Sequence, residues 1–324
     1  MAVAGLFVTV IALARRPATS NSPPRNDQLV SELKEAFNHW RAVPRDAELR
    51  RLAAQGDRAR NLAKAAELAK GDRQQEAIPH LEACLGPRAT HADRAVVHVL
   101  IGNAYMDIND SDEAEGHYRE AEAAAREAGD SAGLAAALGN MGSISLDQGD
   151  LDKALERFQE ALLTDRGISN RMGQAHQLGN IGLVYREQGR MDQALDHLQR
   201  ALEIQEDLGD RLAHANLLGD IGLVYREQGE LDEALEQFRK ALYIDSEIGF
   251  PLGQANALGN MGGVYLLKGQ LDQALEHMEQ AMKIFERVEA ELEMDTTEKT
   301  ILSIRVALKQ NGQEPENGQT HTGG

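Results

Sequence analysis

Aromatic side chains are scarce, at 4% of 324 residues, so alanine and leucine must fill the interior, as close helix packing permits. Cysteine is scarcer still. The single Cys84 excludes an internal disulfide, and nothing points to an oxidising compartment. Its place seven residues after Ala77, matching Ala121 after Ala114, marks it as a small buried filler. No window alternates with a period of two, so no strand is expected. Basic charge is in deficit: 34 Lys+Arg face 52 Asp+Glu, a net of −18. Residues 1–60 hold 10 basic and 6 acidic groups, and the remainder holds 24 and 46. A body that acidic argues against nucleic acid as a partner. Catalytic motifs are missing too. There is no His-Glu-x-x-His, no cysteine pair, no Gly-x-Ser-x-Gly and no phosphate-loop lysine. The ten histidines do not cluster at ligand spacing. We therefore expect a non-catalytic protein, with no catalytic residue, no cofactor and no metal.

What the chain does have is a repeat. Glycines recur at 102, 142, 182, 222 and 262, and alanines at 114, 154, 194, 234, 274 and at 121, 161, 201, 241, 281. A fixed period of 40 residues predicts a solenoid, in which each unit buries its core only against its neighbours. Such a chain presents a surface and seldom builds a catalytic pocket. Residues 171–209 show the unit. A first helix is predicted from about Met172 to Gln188 and a second from about Met191 to Leu208. The second carries Met191, Ala194, Leu195, Leu198, Ala201 and Leu202 on one stripe. Gly189 stops the first helix, with Asn109, Gly149, Gly229 and Gly269 as equivalents. Gly209 stops the second, matched by Gly129 and Gly249. Short loops make consecutive helices antiparallel. Gly182 and Ala194 are expected to face each other where the helices cross, and Ala201 to receive the next repeat.

Six regions follow. Residues 1–26 are an apolar segment, MAVAGLFVTVIALA, and a Pro-rich linker. Fourteen apolar residues are too few to cross a bilayer, which needs about 20. Three readings stay open: a short anchor or the tail of a longer one, an atypical export signal, or a start-site artefact. As an anchor, Arg15 and Arg16 favour repeats on the cytoplasmic side. Residues 27–56 read as a helical cap with Leu29, Leu33, Phe37 and Trp40 on its stripe, ended by Pro44. Residues 57–94 are a degenerate first repeat, split by Gly71 and marked by Ala77, Leu81 and Cys84. Residues 95–288 are five regular repeats. Residues 289–310 are a closing cap whose helix is expected over Asp295 to Leu308, with Asp295 and Glu298 as a capping box and Ile301, Ile304 and Leu308 buried. Residues 311–324 are polar and Gly-rich, with the composition of a disordered tail.

Gly222, Tyr225, Gly229, Ala234, Phe238 and Ala241 resemble the tetratricopeptide repeat pattern of small, aromatic and small residues. At 40 residues the unit is similar to the longer subclass of kinesin light chains, Pins-type scaffolds and many bacterial regulators. Leu138-Gly139-Asn140, Leu178-Gly179-Asn180 and Leu258-Gly259-Asn260 strengthen that resemblance. It implies an all-α, right-handed superhelical solenoid of antiparallel helix pairs, six in number, whose first helices line a concave groove.

On that implied groove, Asn140, Asn180, Asp220 and Asn260 form a ladder, with His176, Asn216 and Asn256 one turn earlier. An amide both donates and accepts, so it suits a peptide backbone of any sequence; the alternative is that the amides bond the adjacent repeat and hold the stack. Arg186 and Arg226, six residues after the ladder, could reach an acidic group. The chaperone-binding branch of the family grips a C-terminal carboxylate with two asparagines and several cations. Asn103 and Asn140 fill the asparagine places by resemblance, but Val99, His176 and Asn180 stand where cations are needed, which argues against such a clamp. The expected function is a cytoplasmic interaction scaffold for a protein or peptide partner. Its rivals are a membrane-tethered assembly factor anchored by residues 1–16 and a peptide-sensing regulator of an enzyme or transcription factor.

Overall fold

The structure is a computed structural model and describes residues 56–69, 71 and 73–311. The apolar segment and linker over 1–26, the cap helix with Pro44, and the tail after Asn311 lie outside those residues. Two compact units divide at Gln188 and Gly189. The first contains α1 (Gly56–Ala69), α2 (Gln74–Glu82), a 3-10 turn Ala83–Leu85 and α3 (His91–Asp107). It continues with α4 (Ser111–Ala128), α5 (Ser131–Asp147), α6 (Leu151–Gly167) and α7 (Arg171–Glu187). The second contains α8 (Met191–Leu208), α9 (Arg211–Gln228), α10 (Leu231–Ile248), α11 (Pro251–Leu267), α12 (Leu271–Val288) and α13 (Glu291–Gln310). Among the described residues there is no strand, and no described helix is long and apolar enough to cross a membrane.

Within each unit, every helix packs on the next, and the first helices also lie beside one another: α3 on α5, α5 on α7, and α9 on α11. This is an all-α solenoid of helix pairs. In α10, for instance, Ala234, Leu235, Phe238 and Ala241 make one buried stripe while Glu233, Glu236 and Lys240 stay exposed. Loop chemistry fixes the helix ends. Asp110, Asp130, Asp150 and Asp210 accept from backbone N–H groups three residues on. Gly209 and Gly249 close α8 and α10 with φ near 71° and 68°, where a side chain would be strained. Asn109 takes the same conformation, as expected, but so do Ser169 and Glu289, which no small-residue rule anticipates.

Beside the alanine column, the glycine column has a nearer neighbour that the repeat pattern did not name. A Cβ on Gly102 would lie 2.5 Å from the Tyr118 ring, on Gly142 2.7 Å from Phe158, and on Gly222 2.6 Å from Phe238. The alanine column is buried, but the ring one turn later fills the space each glycine leaves. In the last copy Gly262 meets Met278 at 3.0 Å and the main-chain oxygen of Ala274, from the alanine column, at 3.3 Å.

At the amino-terminal end, Leu62, Leu81, Cys84, Leu100 and Ile101 form one core. Cys84 is fully buried, and burial pushes its thiol up to about 11. Arg58 pairs with buried Asp93 at 3.0 Å, and Asp93 also forms a capping box with Thr90. At the other end, Ile301, Ile304 and Leu308 are buried as expected. The helix itself starts four residues earlier than Asp295. Asp295 therefore sits inside the helix and pairs with Lys299, so it forms no capping box.

Two glycines in one unit separate packing from open space. Gly222→Leu should destabilise the chain by roughly 1–3 kcal/mol through overpacking on Phe238. At Gly259 a Cβ meets nothing within 4 Å, so Gly259→Ala should stabilise by about 0.5–1 kcal/mol. Urea melts of both variants check the pair; equal shifts would contradict the packing described.

Candidate functional site

In the second unit, neighbouring helices α9 and α11 place four candidate side chains in two matched pairs. Asn216 and Asp220 lie one turn apart on α9, and Asn256 and Asn260 one turn apart on α11. All four are half-buried. Among the described residues the side chains of Asn216, Asn256 and Asn260 make no hydrogen bond, which leaves both donor and acceptor of each amide available. Arg226 is half-buried in the last turn of α9. In the first unit, α7 carries exposed His176, half-buried Asn180 and half-buried Arg186. Arg186 is paired with Glu187 at 2.9 Å.

Asn140, on α5, differs from the others. It is buried, and its amide nitrogen donates to Asn103 Oδ1 on α3 at 2.8 Å. Tyr118 O–H donates to the same oxygen at 2.7 Å. Here the amide ties one repeat to its neighbour. Asn103 is buried as well, so the two asparagines bond each other inside the stack.

Glycines accompany the amide pairs. Gly219 follows Asn216 by one turn, Gly259 follows Asn256, and Gly263 follows Asn260. A Cβ at any of the three would meet nothing within 4 Å. These glycines serve no packing, unlike those under the rings.

The joints between repeats hold polar groups that the repeat pattern did not flag. The main-chain oxygen of Asp245 accepts from Phe250 N at 2.8 Å and from Gln254 Nε2 at 3.1 Å. Asp165 is held alike by Asn170 N at 2.8 Å and Gln174 Nε2 at 3.3 Å. At the intermediate joint Gln205 stands in place of aspartate and His214 in place of glutamine. There the side-chain clamp is missing and the Gln205 Oε1 is buried without a partner. A cleft of about 620 Å³ opens beside it, lined by Leu202, His214, Leu218, Tyr243 and Ile244 among others.

Asp245 is 3% exposed, and its Oδ1 has no partner. A Cβ on Gly253 would collide with its carboxylate, so only glycine fits there. Burial pushes this carboxyl up to about 6. The folded chain thus keeps its proton after an unfolded aspartate has released it near about 4. Stability should fall as pH rises between those values and level off above them. Asp245→Asn should remove that decline, which is on the order of 2 kcal/mol. Urea midpoints of wild type and variant across this window check it; a wild-type profile as flat as the variant's would refute the assignment.

Comparisons with known proteins agree with this architecture. Residues 93–163 and 174–247 match a family model described as tetratricopeptide repeat, and residues 254–289 match a second with the same description. Together these regions cover more than half of the chain. No curated protein matches it. Among solved structures, the apo form of RapI is 16% identical, with 78% of this chain and 99% of that chain covered, at a TM-score of 0.59. Rap protein complexed with Competence and Sporulation Factor is 12% identical, covering 88% and 99%, at 0.58. A STAND protein with a tetratricopeptide repeat sensor from Pyrococcus horikoshii is 13% identical, covering 89% and 48%, at 0.62. At such identities the likeness is one of fold. The chain belongs to the tetratricopeptide repeat family and is a scaffold for protein–protein interaction.

Proposed function

We propose that the chain captures a peptide segment of a partner protein on the first helices of its repeats, and that the amides bond the peptide's backbone. The carrying observation is the pair of matched amides on α9 and α11. Asn216, Asn256 and Asn260 are half-buried, and their side chains hydrogen-bond to nothing among the described residues. A polar group in that state gains most from a partner that supplies both donor and acceptor, as an extended backbone does. The open glycines support the same reading. A glycine inside a helix costs about 1 kcal/mol against alanine, and at Gly219, Gly259 and Gly263 no packing offsets it. What a missing Cβ provides there is close approach of a second backbone. In the first unit, taken by itself, Asn180 and His176 on α7 are the candidates of the same kind, while Asn140 bonds Asn103. Arg226 would meet an acidic group at the edge of the segment bound on the second unit.

A second reading has one observation in its favour. The solved Rap protein similar in fold to this chain is complexed with Competence and Sporulation Factor. By that analogy the present chain would act as a regulator that changes conformation when a short peptide binds.

The double variant Asn256→Ala with Asn260→Ala should lose the partner while keeping its melting temperature. Asn140→Ala should instead lower stability by about 1–3 kcal/mol, because it strips a buried bond from Asn103. Pull-down of partners by the full chain, run beside thermal melts, checks both. Capture by the folded double variant would remove the amide face from the reading. For the captured segment, a change in radius of gyration on binding separates a regulator from a passive scaffold.

A further inference from the structure

Two histidines from neighbouring helices meet in the first unit. His98 on α3 and His117 on α4 bring their Nδ1 atoms to 3.0 Å. The ring centroids are 5.3 Å apart and the planes are inclined by 31°. Tyr105 stacks on His117 at 5.4 Å, with the planes within 14°, and so holds that ring in place. Both histidines are half-buried. They are 19 residues apart in sequence, beyond any spacing that would identify a ligand pair; the α3–α4 hairpin brings them together.

The charges around the pair suit a cation: Glu113, Glu82 and Glu120 act on His117, against the one cation, Arg94, beside His98.

We propose that His98 and His117 chelate a divalent transition-metal ion, with Glu113 as a third ligand. Glu113 lies one turn before His117 on α4, the i, i+4 relation that places two ligands on one helix face. Metal–nitrogen bonds are about 2.0–2.1 Å long. Two nitrogens 3.0 Å apart then subtend roughly 90° at the ion, the cis angle of square-planar or octahedral coordination. A tetrahedral site would need them roughly 3.3 Å apart. The geometry thus favours Cu²⁺ or Ni²⁺ over a structural zinc. Among the described residues no three ligating side chains already converge, so the Glu113 carboxylate must turn toward the pair. The remaining positions go to water, which makes the site open and exchangeable. On binding, the ring that donated from Nδ1 loses that proton and takes one up at Nε2 from solvent, so both Nδ1 lone pairs face the ion, each imidazole is the neutral Nε2–H tautomer and no net proton is released. The ion would pin α3 to α4 in place of that hydrogen bond.

The test uses the untagged full chain titrated with NiCl₂ and with CuCl₂, read by calorimetry, thermal melts and, for copper, electron paramagnetic resonance. One equivalent should bind saturably and raise the melting temperature. His98→Gln or His117→Gln should each weaken binding by about tenfold or more, and Glu113→Gln should weaken it less. His197→Gln and His277→Gln should leave it unchanged. The copper spectrum should show two coupled nitrogens in wild type and one in His98→Gln. Failure of the wild type to bind, or binding that survives loss of either histidine, overturns the site. Should a variant fail to fold, the wild-type copper spectrum decides alone: fewer than two nitrogens means the pair is only a hydrogen bond.

Discussion

The fold depends on one contact, repeated: a ring seated on a glycine. Tyr118, Phe158 and Phe238 are among the largest side chains that are fully buried, and each occupies the space its glycine leaves on the preceding helix. The glycine weakens its own helix by about 1 kcal/mol. Burying an aromatic side chain returns about 1.5–3 kcal/mol, so the exchange favours the closed pair. Because the contact lies between consecutive helices, closure is local, and each pair then offers its outer faces to the next. This explains how a chain with so few aromatics can build a core. Three rings at one repeat position suffice, Met278 takes that place on Gly262, and alanine with the aliphatic side chains fills the rest.

Polar side chains divide according to whether the stack consumes them. Asn140 gives its amide to Asn103, and Tyr118 completes that network from the next helix. Nothing consumes the amides of Asn256 and Asn260. The glycines divide the same way: Gly222 accommodates Phe238, whereas Gly259 and Gly263 face open space. When two residue types at neighbouring positions both lack a structural use, a use in binding accounts for both at once. That coincidence on α9 and α11 supports the proposed binding face more strongly than the asparagine ladder does alone.

Much of the helix layout was legible because it follows from local rules. The 40-residue period, the end of α8 at Gly209 and the buried stripe of α13 all rest on residues within a few turns of one another. The ring's seat on the glycine was not legible, since alanine and ring share a helix face and only packing shows which fills the gap. Ser169 and Glu289 adopt left-handed conformations because the loop geometry is set by the helices on either side, whichever residue stands there. For Asn140 the choice between groove contact and a bond to the adjacent repeat was not legible. Its partner Asn103 lies 37 residues earlier, off the repeat register, so no column of the alignment pairs them. His98 and His117 escaped for the same reason: the equivalent positions in the next repeat are Leu138 and Arg157. The repeats that reveal the fold thus conceal the chemistry, which sits where single copies depart from the common pattern.

Those departures also make the joints between repeats unequal. The joint from α10 to α11 has its glutamine clamp but buries the Asp245 carboxyl. The joint from α8 to α9 has no such clamp, leaves the Gln205 Oε1 without a partner and borders the cleft under Tyr243. Each joint buries one acceptor without a donor, Asp245 Oδ1 in one and Gln205 Oε1 in the other, so what distinguishes them is the clamp, whose loss removes a bond. Local opening is easiest where such bonds are fewest, so the α8–α9 joint is the place where the second unit yields first. It adjoins α9, which carries Asn216 and Asp220. A segment bound across α9 and α11 would therefore draw on one firm joint and one compliant joint. Adjustment of the amide face to its ligand would be concentrated at the compliant one, with the glycine–ring closures of each pair left intact.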